Sequence, residues 1–330
     1  MVDIKTIGPR EWAGMLVLLV LALVVPVVGV WQDQSYYLAL VTRIMVLALA
    51  ATGLNFALGY GGMVSLGHAM YLGVGSYAVG VLSEHGVDQA WLHIAVALGV
   101  GGVLAWLVGS VCLRTTGMAF IMITLAFAQM AYFVAVGLKR YGGEDGLQVA
   151  ARSKIAGLDM GNVVTFYLVV LACLLVALWV VSRMVRSRFG MVLRGSMLNG
   201  RRMVAMGFPS FRYRLLGYVL SAELCVLAGV LMANLTRFVS PSYMQWSMSG
   251  ELIVMVVLGG IGTLLGPLVG AATLILLEEA LSNVHIGDFE ALEKLVNTHW
   301  LALIGLFIVL VTLNMKRGLL GSLRSGKEPS

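Results

Sequence analysis

The stretch NVVTFYLVVLACLLVALWVVS, residues 162–182, followed at once by RMVRSR, residues 183–188, decides how this chain folds. Twenty apolar residues in a row match the thickness of a bilayer's hydrocarbon core at the helical rise. In that solvent every backbone N–H and C=O must find a partner within the protein, which leaves helices or closed barrels. A run this long and this continuously apolar is too long for a barrel strand, so it reads as a membrane-spanning helix. The arginines that end it mark the cytoplasmic side, because short loops rich in Lys and Arg stay inside.

The rest of the chain repeats the pattern. Sixty percent of its 330 residues are apolar and only 12% are charged, against about 25% charged in a soluble domain. Apolar runs near 12–30, 44–60, 63–82, 91–112 and 117–137 precede the opening stretch. Runs near 214–236, 249–264, 266–281 and 299–315 follow it. The expectation is an all-α, polytopic transmembrane bundle of about ten spans, eight at the fewest, forming a single permease-like domain over 1–330. The first run follows Lys5 and Arg10, as a signal peptide would, but is read as a retained span because no small-residue cleavage site follows.

Charge sets the orientation. Between Arg183 and Arg214 lie eight arginines and no acid. With ten spans, this loop, Arg114, the basic tail and both termini share the cytoplasmic side. The acid-bearing loops at Glu84/Asp88 and at Asp288/Glu290/Glu293 fall outside. The loop with Lys139, Arg140, Arg152 and Lys154 runs against this rule and is balanced in part by Glu144, Asp145 and Asp159.

Catalytic and metal chemistry find little footing. Cys112, Cys173 and Cys225 sit inside apolar runs without metal spacing, and the five histidines form no ligand pair. No nucleophile elbow, zincin helix or phosphate loop is present. The expectation is a transport protein rather than an enzyme, with no cofactor of its own, no nucleic-acid partner and membrane lipid around it.

Glycine carries the functional signal. The segments GYGGMVSLGHAMYLGVGSYAVG (59–80) and GGIGTLLGPLVGAA (259–272) both read as tight helix-to-helix joins. They would lie on one membrane side, as a parallel duplication requires. Gly59, Gly61 and Gly62 permit either close packing or a broken element lining a pathway. Asn55, Ser65 and His68 cluster beside them, and His68 is either a hydrogen-bonded structural residue or a substrate contact. Thr124, Gln129, Glu251, Gly259, Gly260 and Gly262 complete the candidate pathway. Glu223, in the middle of its run, stands alone along its helix, where an interhelical hydrogen bond is as good a reading as transport chemistry. The segment 194–207, with Arg194, Asn199, Arg201, Arg202, Val204, Ala205 and Gly207, has the length of a short helix along the membrane, suited to docking a soluble partner within the cytoplasmic stretch 183–213.

At these residues a resemblance enters. GLNFALGYGGMVSLGHAMYLGVGSYA (53–78), GMAFIMITLAFAQM (117–130), GGEDGL (142–147) and SRFGMVLRGSMLNGRRMVAMGF (187–208) come first. YRLLGYVLSAELCVLAGVL (213–231), FVSPSYM (238–244), MVVLGGIGTLLGPLVGAA (255–272) and KRGLLG (316–321) follow in order. Together they resemble the LivM-type permeases of branched-chain amino acid ABC importers. The resemblance implies a bacterial inner-membrane subunit without ATPase activity, paired with a LivH-like permease. Two cytoplasmic ATPases that consume ATP and a periplasmic binding protein would complete the importer. It also implies that 194–207 is the ATPase-coupling segment. Relatives take up branched-chain or other hydrophobic amino acids, and also urea and short amides. A stand-alone ion-coupled carrier is the alternative of a different class. The chain departs from the family at Val204, where an acid is usual, at Glu223, where an apolar or small residue is usual, and at Lys316, where proline is usual.

Overall fold

The computed structural model describes residues 35–154, 160–282, 290–314 and 318–319. The expected first span, the terminal Lys316 departure and the outer acidic loop at Asp288 lie outside them. The architecture is helical: α1 Ser35–Asn55, α2 His68–Glu84, α3 Ala90–Cys112, α4 Met118–Gly137 and α5 Val163–Arg186 come first. Then follow α6 Arg188–Ala205, α7 Ser210–Thr236, α8 Trp246–Gly259, α9 Gly266–Ser282 and α10 Glu290–Asn314. Five segments are long and apolar enough to cross a membrane by length and composition: Tyr36–Tyr60, Ala90–Cys112, Met118–Gly137, Val163–Arg186 and Ser210–Thr236.

α7 is the axle of the bundle and packs on α1, α2 and α3. Its 27 residues reach about 40 Å at the helical rise, and its inward face is built from small residues. Side chains at Gly75 and Gly229 would run into the backbone carbonyls of Val226 and Leu72, so α2 and α7 cross with main chains in contact. Small residues at such crossings let dispersion replace the hydrophobic drive that lipid does not supply. The remaining volume is filled by Tyr71, Tyr167, Tyr218, Phe56 and Phe166, all fully buried. In the windows that cross, 72% of Tyr36–Tyr60 is buried and only 22% of Met118–Gly137. α1 is therefore core, and α4 leaves most of its surface to lipid or to another subunit.

Two of the expected spans are corrected. The run 63–82 is not one helix. Residues 61–67 are non-helical, and α2 begins only at His68. The run 249–264 ends its helix at Gly259, and 260–265 form a turn. With 17 and 14 residues, α2 and α8 reach about 25 Å and 21 Å. Each falls short of the roughly 30 Å hydrocarbon core.

One end of the bundle is tied by its loops. Leu147–Gln148 pairs antiparallel with Phe238–Val239. Lys154 pairs with Asp88 at 3.1 Å, and Asn234 Oδ1 accepts from Ser153 N at 2.7 Å. Arg152 lies over the Phe166 ring at 4.6 Å and donates to Asn234 O and Met160 O. The basic loop that defied the charge rule is thus fastened to the acid-bearing loop at Asp88, at the end opposite α6. Its charges are engaged in structure there, which is why they do not act as a topology signal.

Candidate translocation site

α1 does not stop at Asn55. It widens into a π-helical turn, Phe56–Tyr60, and then breaks at Gly61 and Gly62, the latter at φ 64°. Only glycine takes that conformation without strain. From there residues 63–67 run extended, and burial alternates as the pleat demands. Met63, Ser65 and Gly67 point inward, whereas Gly62 and Val64 are exposed and Leu66 is half-buried.

The extended segment delivers the start of α2 into the middle of the bundle. His68 meets Ser221 there, near the midpoint of α7. A helix start leaves orphan N–H groups, and Gly67 at the N-cap has no side chain to cap them. Hydroxyls from three elements do so instead. Thr124 Oγ1 of α4 accepts from Leu66 N at 3.2 Å, Ser65 Oγ from Gly67 N at 3.1 Å, and Ser249 Oγ of α8 from Ala69 N at 3.0 Å. Ser221 Oγ donates to Gly53 O at 2.6 Å. Its oxygen is thereby left to accept from His68 Nε2–H at 2.7 Å. The imidazole is neutral in this arrangement, wedged edge-on against Tyr71 and Tyr218, with no partner for Nδ1.

Ser65, His68 and Thr124 are thus brought together, fully buried. Ser221, Ser249, Tyr71 and Tyr218 belong with them and were missed by sequence reasoning, because lone serines and tyrosines in apolar runs carry no local signal.

A second cluster forms where the two glycine-rich joins meet. Asn55 Oδ1 accepts from Gly262 N at 2.9 Å, and its Nδ2 donates to Thr263 O at 2.8 Å. A Cβ on Gly59 would lie 2.5 Å from Gly262 N. Gly260 and Gly262 turn the chain at φ 120° and 73°, and Gly259 packs on the Gly266 backbone. Asn55 and these glycines therefore form a clamp between α1 and the α8–α9 turn. Gln129 stands apart from both clusters, its Nε2 without a partner. Glu251 is on the exposed face of α8, with Glu278 and Arg43 as its charged neighbours.

The arginine-rich segment is helical from Arg188, six residues earlier than expected, and it breaks at Asn199 (φ −157°, ψ 90°). Asn199 Oδ1 then caps the second part by accepting from Arg202 N at 3.0 Å. Arg194 turns inward. It donates to the carbonyls of Val185 and Gly190 and lies 5.9 Å from the Tyr60 ring centroid. Arg201, Arg202, Val204, Ala205 and Gly207 are exposed, together with Leu198 and Met206. Leu193 seats α6 on Gly217 of α7, and Met197 occupies the space beside Gly62, 2.6 Å from where a Cβ would stand. The surface helix therefore rests directly on the break before α2.

Comparison with known proteins agrees with this geometry. A family model described as branched-chain amino acid transport system / permease component matches residues 36–312. The LivM permease of Escherichia coli K12 is 23% identical over 266 residues, 73% of this chain and 63% of that one. The LivM of Salmonella typhimurium matches to the same extent. The chain thus spans under two thirds of the length of these relatives. The LivH permease of Escherichia coli K12 is 25% identical over 83% of this chain and 91% of its own. No solved structure matches. A multi-helix membrane protein whose match runs across every described helix from α1 to α9 and into α10, this chain belongs to the family of branched-chain amino acid transport system permease components.

Proposed function

We propose that this chain is one membrane-spanning half of an ATP-driven importer that carries branched-chain or other hydrophobic amino acids across the bacterial inner membrane. A second, LivH-like permease completes the pore, two cytoplasmic ATPases drive it, and a periplasmic binding protein delivers the amino acid. The α6 end faces the cytoplasm, with both termini on that side and an additional span before α1. ATP is bound and hydrolysed on the partner subunits.

The observation that carries this reading is the seat of Met197 on Gly62. An ATPase pair can switch the pore only through contacts that differ between its open and closed states, and α6 is the exposed element at that end. Motion of α6 reaches the 61–67 segment through a single side chain. That segment offers Gly62, Val64 and Leu66 to the outside of the bundle, an apolar wall suited to an aliphatic side chain. The hydroxyl-capped start of α2 holds the inner side of the wall in place.

In proteoliposomes containing the assembled complex, leucine uptake is expected to require ATP. The Arg201→Glu/Arg202→Glu chain is expected to lower uptake at least tenfold while ATP hydrolysis persists, within the roughly 5–150-fold range of coupling between sites. Unchanged uptake in this variant would show that the exposed arginines do not couple. Uptake by the chain alone on an ion gradient, indifferent to ATP, would contradict the importer reading as a whole.

A further inference from the structure

Glu223 lies midway along α7, and its carboxylate oxygen Oε1 fills the position where a side chain on Gly102 of α3 would stand. Its other oxygen, Oε2, is buried without a hydrogen-bond partner. α7 is about 40 Å long, so this group lies close to the bilayer centre. Lipid ester carbonyls begin about 15 Å away, at the edge of the hydrocarbon. A carboxylate there is costly, and even a neutral acid leaves an O–H donor that costs free energy until an acceptor is found.

Neither lipid tails nor water provide that acceptor at mid-membrane; a polypeptide helix does. The adjoining surface of α3 is shaped to admit one. Ala95 and Gly99 are exposed one turn apart, a Cβ on Gly99 would meet nothing within 4 Å, and Trp106 stands exposed further along the same face. Small residues four apart allow a neighbouring backbone to come close. The likeness of this chain to both LivM and LivH permeases points to a second subunit of the same fold as the source of the helix.

Resting on the two-permease reading above, we propose that Glu223 is an uncharged carboxylic acid whose hydroxyl donates to a transmembrane helix of the second permease. That helix is seated on Ala95 and Gly99 of α3. Glu223 is then an assembly residue, and its departure from the family's apolar or small residue marks this seam as partner-specific.

The assembled transporter, purified through a tag on this chain, tests the inference. Glu223→Leu is expected to reduce recovery of the second permease at least fivefold, and Glu223→Gln, which keeps an N–H donor, to restore most of it. The second measurement does not depend on a variant folding. Dicyclohexylcarbodiimide, which reacts with protonated carboxyls in hydrocarbon, is expected to label Glu223 in the full chain expressed alone and to be excluded in the complex. Wild-type recovery by Glu223→Leu, or equal labelling in both preparations, overturns the inference while leaving the importer reading in place. A wild-type complex that contains no second permease, or only a second copy of this chain, overturns the two-permease reading and this inference with it.

Discussion

Gly229→Val is expected to abolish recovery of folded protein. The added branch would drive into the Leu72 carbonyl of α2, and no flexible side chain stands there to yield. One surplus methylene in a packed core costs about 1–3 kcal/mol, and a branched side chain against backbone costs more. Gly75→Val meets the Val226 carbonyl from the other side of the same crossing, so it is expected to fail as severely. Gly137→Ala is the control: a Cβ there meets nothing within 4 Å, and its monodisperse yield after detergent extraction is expected to match the parent. Wild-type yield from Gly229→Val would mean that α2 and α7 do not cross at this distance.

Asn55→Leu is expected to abolish transport with less damage to the fold. The substitution leaves Gly262 N–H and Thr263 C=O without the partners Asn55 provides. Each buried unsatisfied group costs about 1–3 kcal/mol. The join between α1 and the α8–α9 turn would loosen, and the Gly59–Gly262 approach would open with it. Uptake by the complex is expected to fall by about tenfold or more, as 1.4 kcal/mol of misplacement already allows. Asn55→Asp retains the acceptor for Gly262 N–H and loses the donor to Thr263, so it should fall between the two. The thermal midpoint of the purified complex and its uptake rate, measured side by side, read both effects. Parental values for Asn55→Leu would exclude the clamp.

Solvent physics made much of this fold legible. The runs at 91–112, 117–137, 162–182 and 214–236 became α3, α4, α5 and α7 with boundaries shifted by a few residues. Every backbone group in lipid must be paired, so a long apolar run has few alternatives. Residues 63–67 escaped detection because an extended piece of five residues inside an apolar run has the same composition as the helix it interrupts. The glycines at 61 and 62 gave a hint, but Gly73, Gly75 and Gly80 lie just beyond them and pack within α2. The pairing of the two joins was visible only as a faint likeness between 59–80 and 259–272. That Asn55 would bridge them, 207 residues from Gly262, has no local signature. Arg194 looked like its exposed neighbours by charge, yet the carbonyls of Val185 and Gly190 hold it inward. Composition does not separate an arginine that caps a turn from one that docks a partner.

The break before α2 is the point at which the helix α6 and the interior polar cluster meet. Its outer face is expected to be wet at some stage of the cycle. Cysteine accessibility at Val64 tests this most directly. In the assembled complex, with Cys112, Cys173 and Cys225 replaced by alanine and Val64→Cys introduced, a membrane-impermeant thiol reagent is expected to label position 64. Its rate should change several-fold between ATP-free and ATP-trapped states, because only an ionised thiolate in water reacts quickly. A position 64 that stays unlabelled in every state, as a lipid-facing thiol does, would contradict a pathway along this segment.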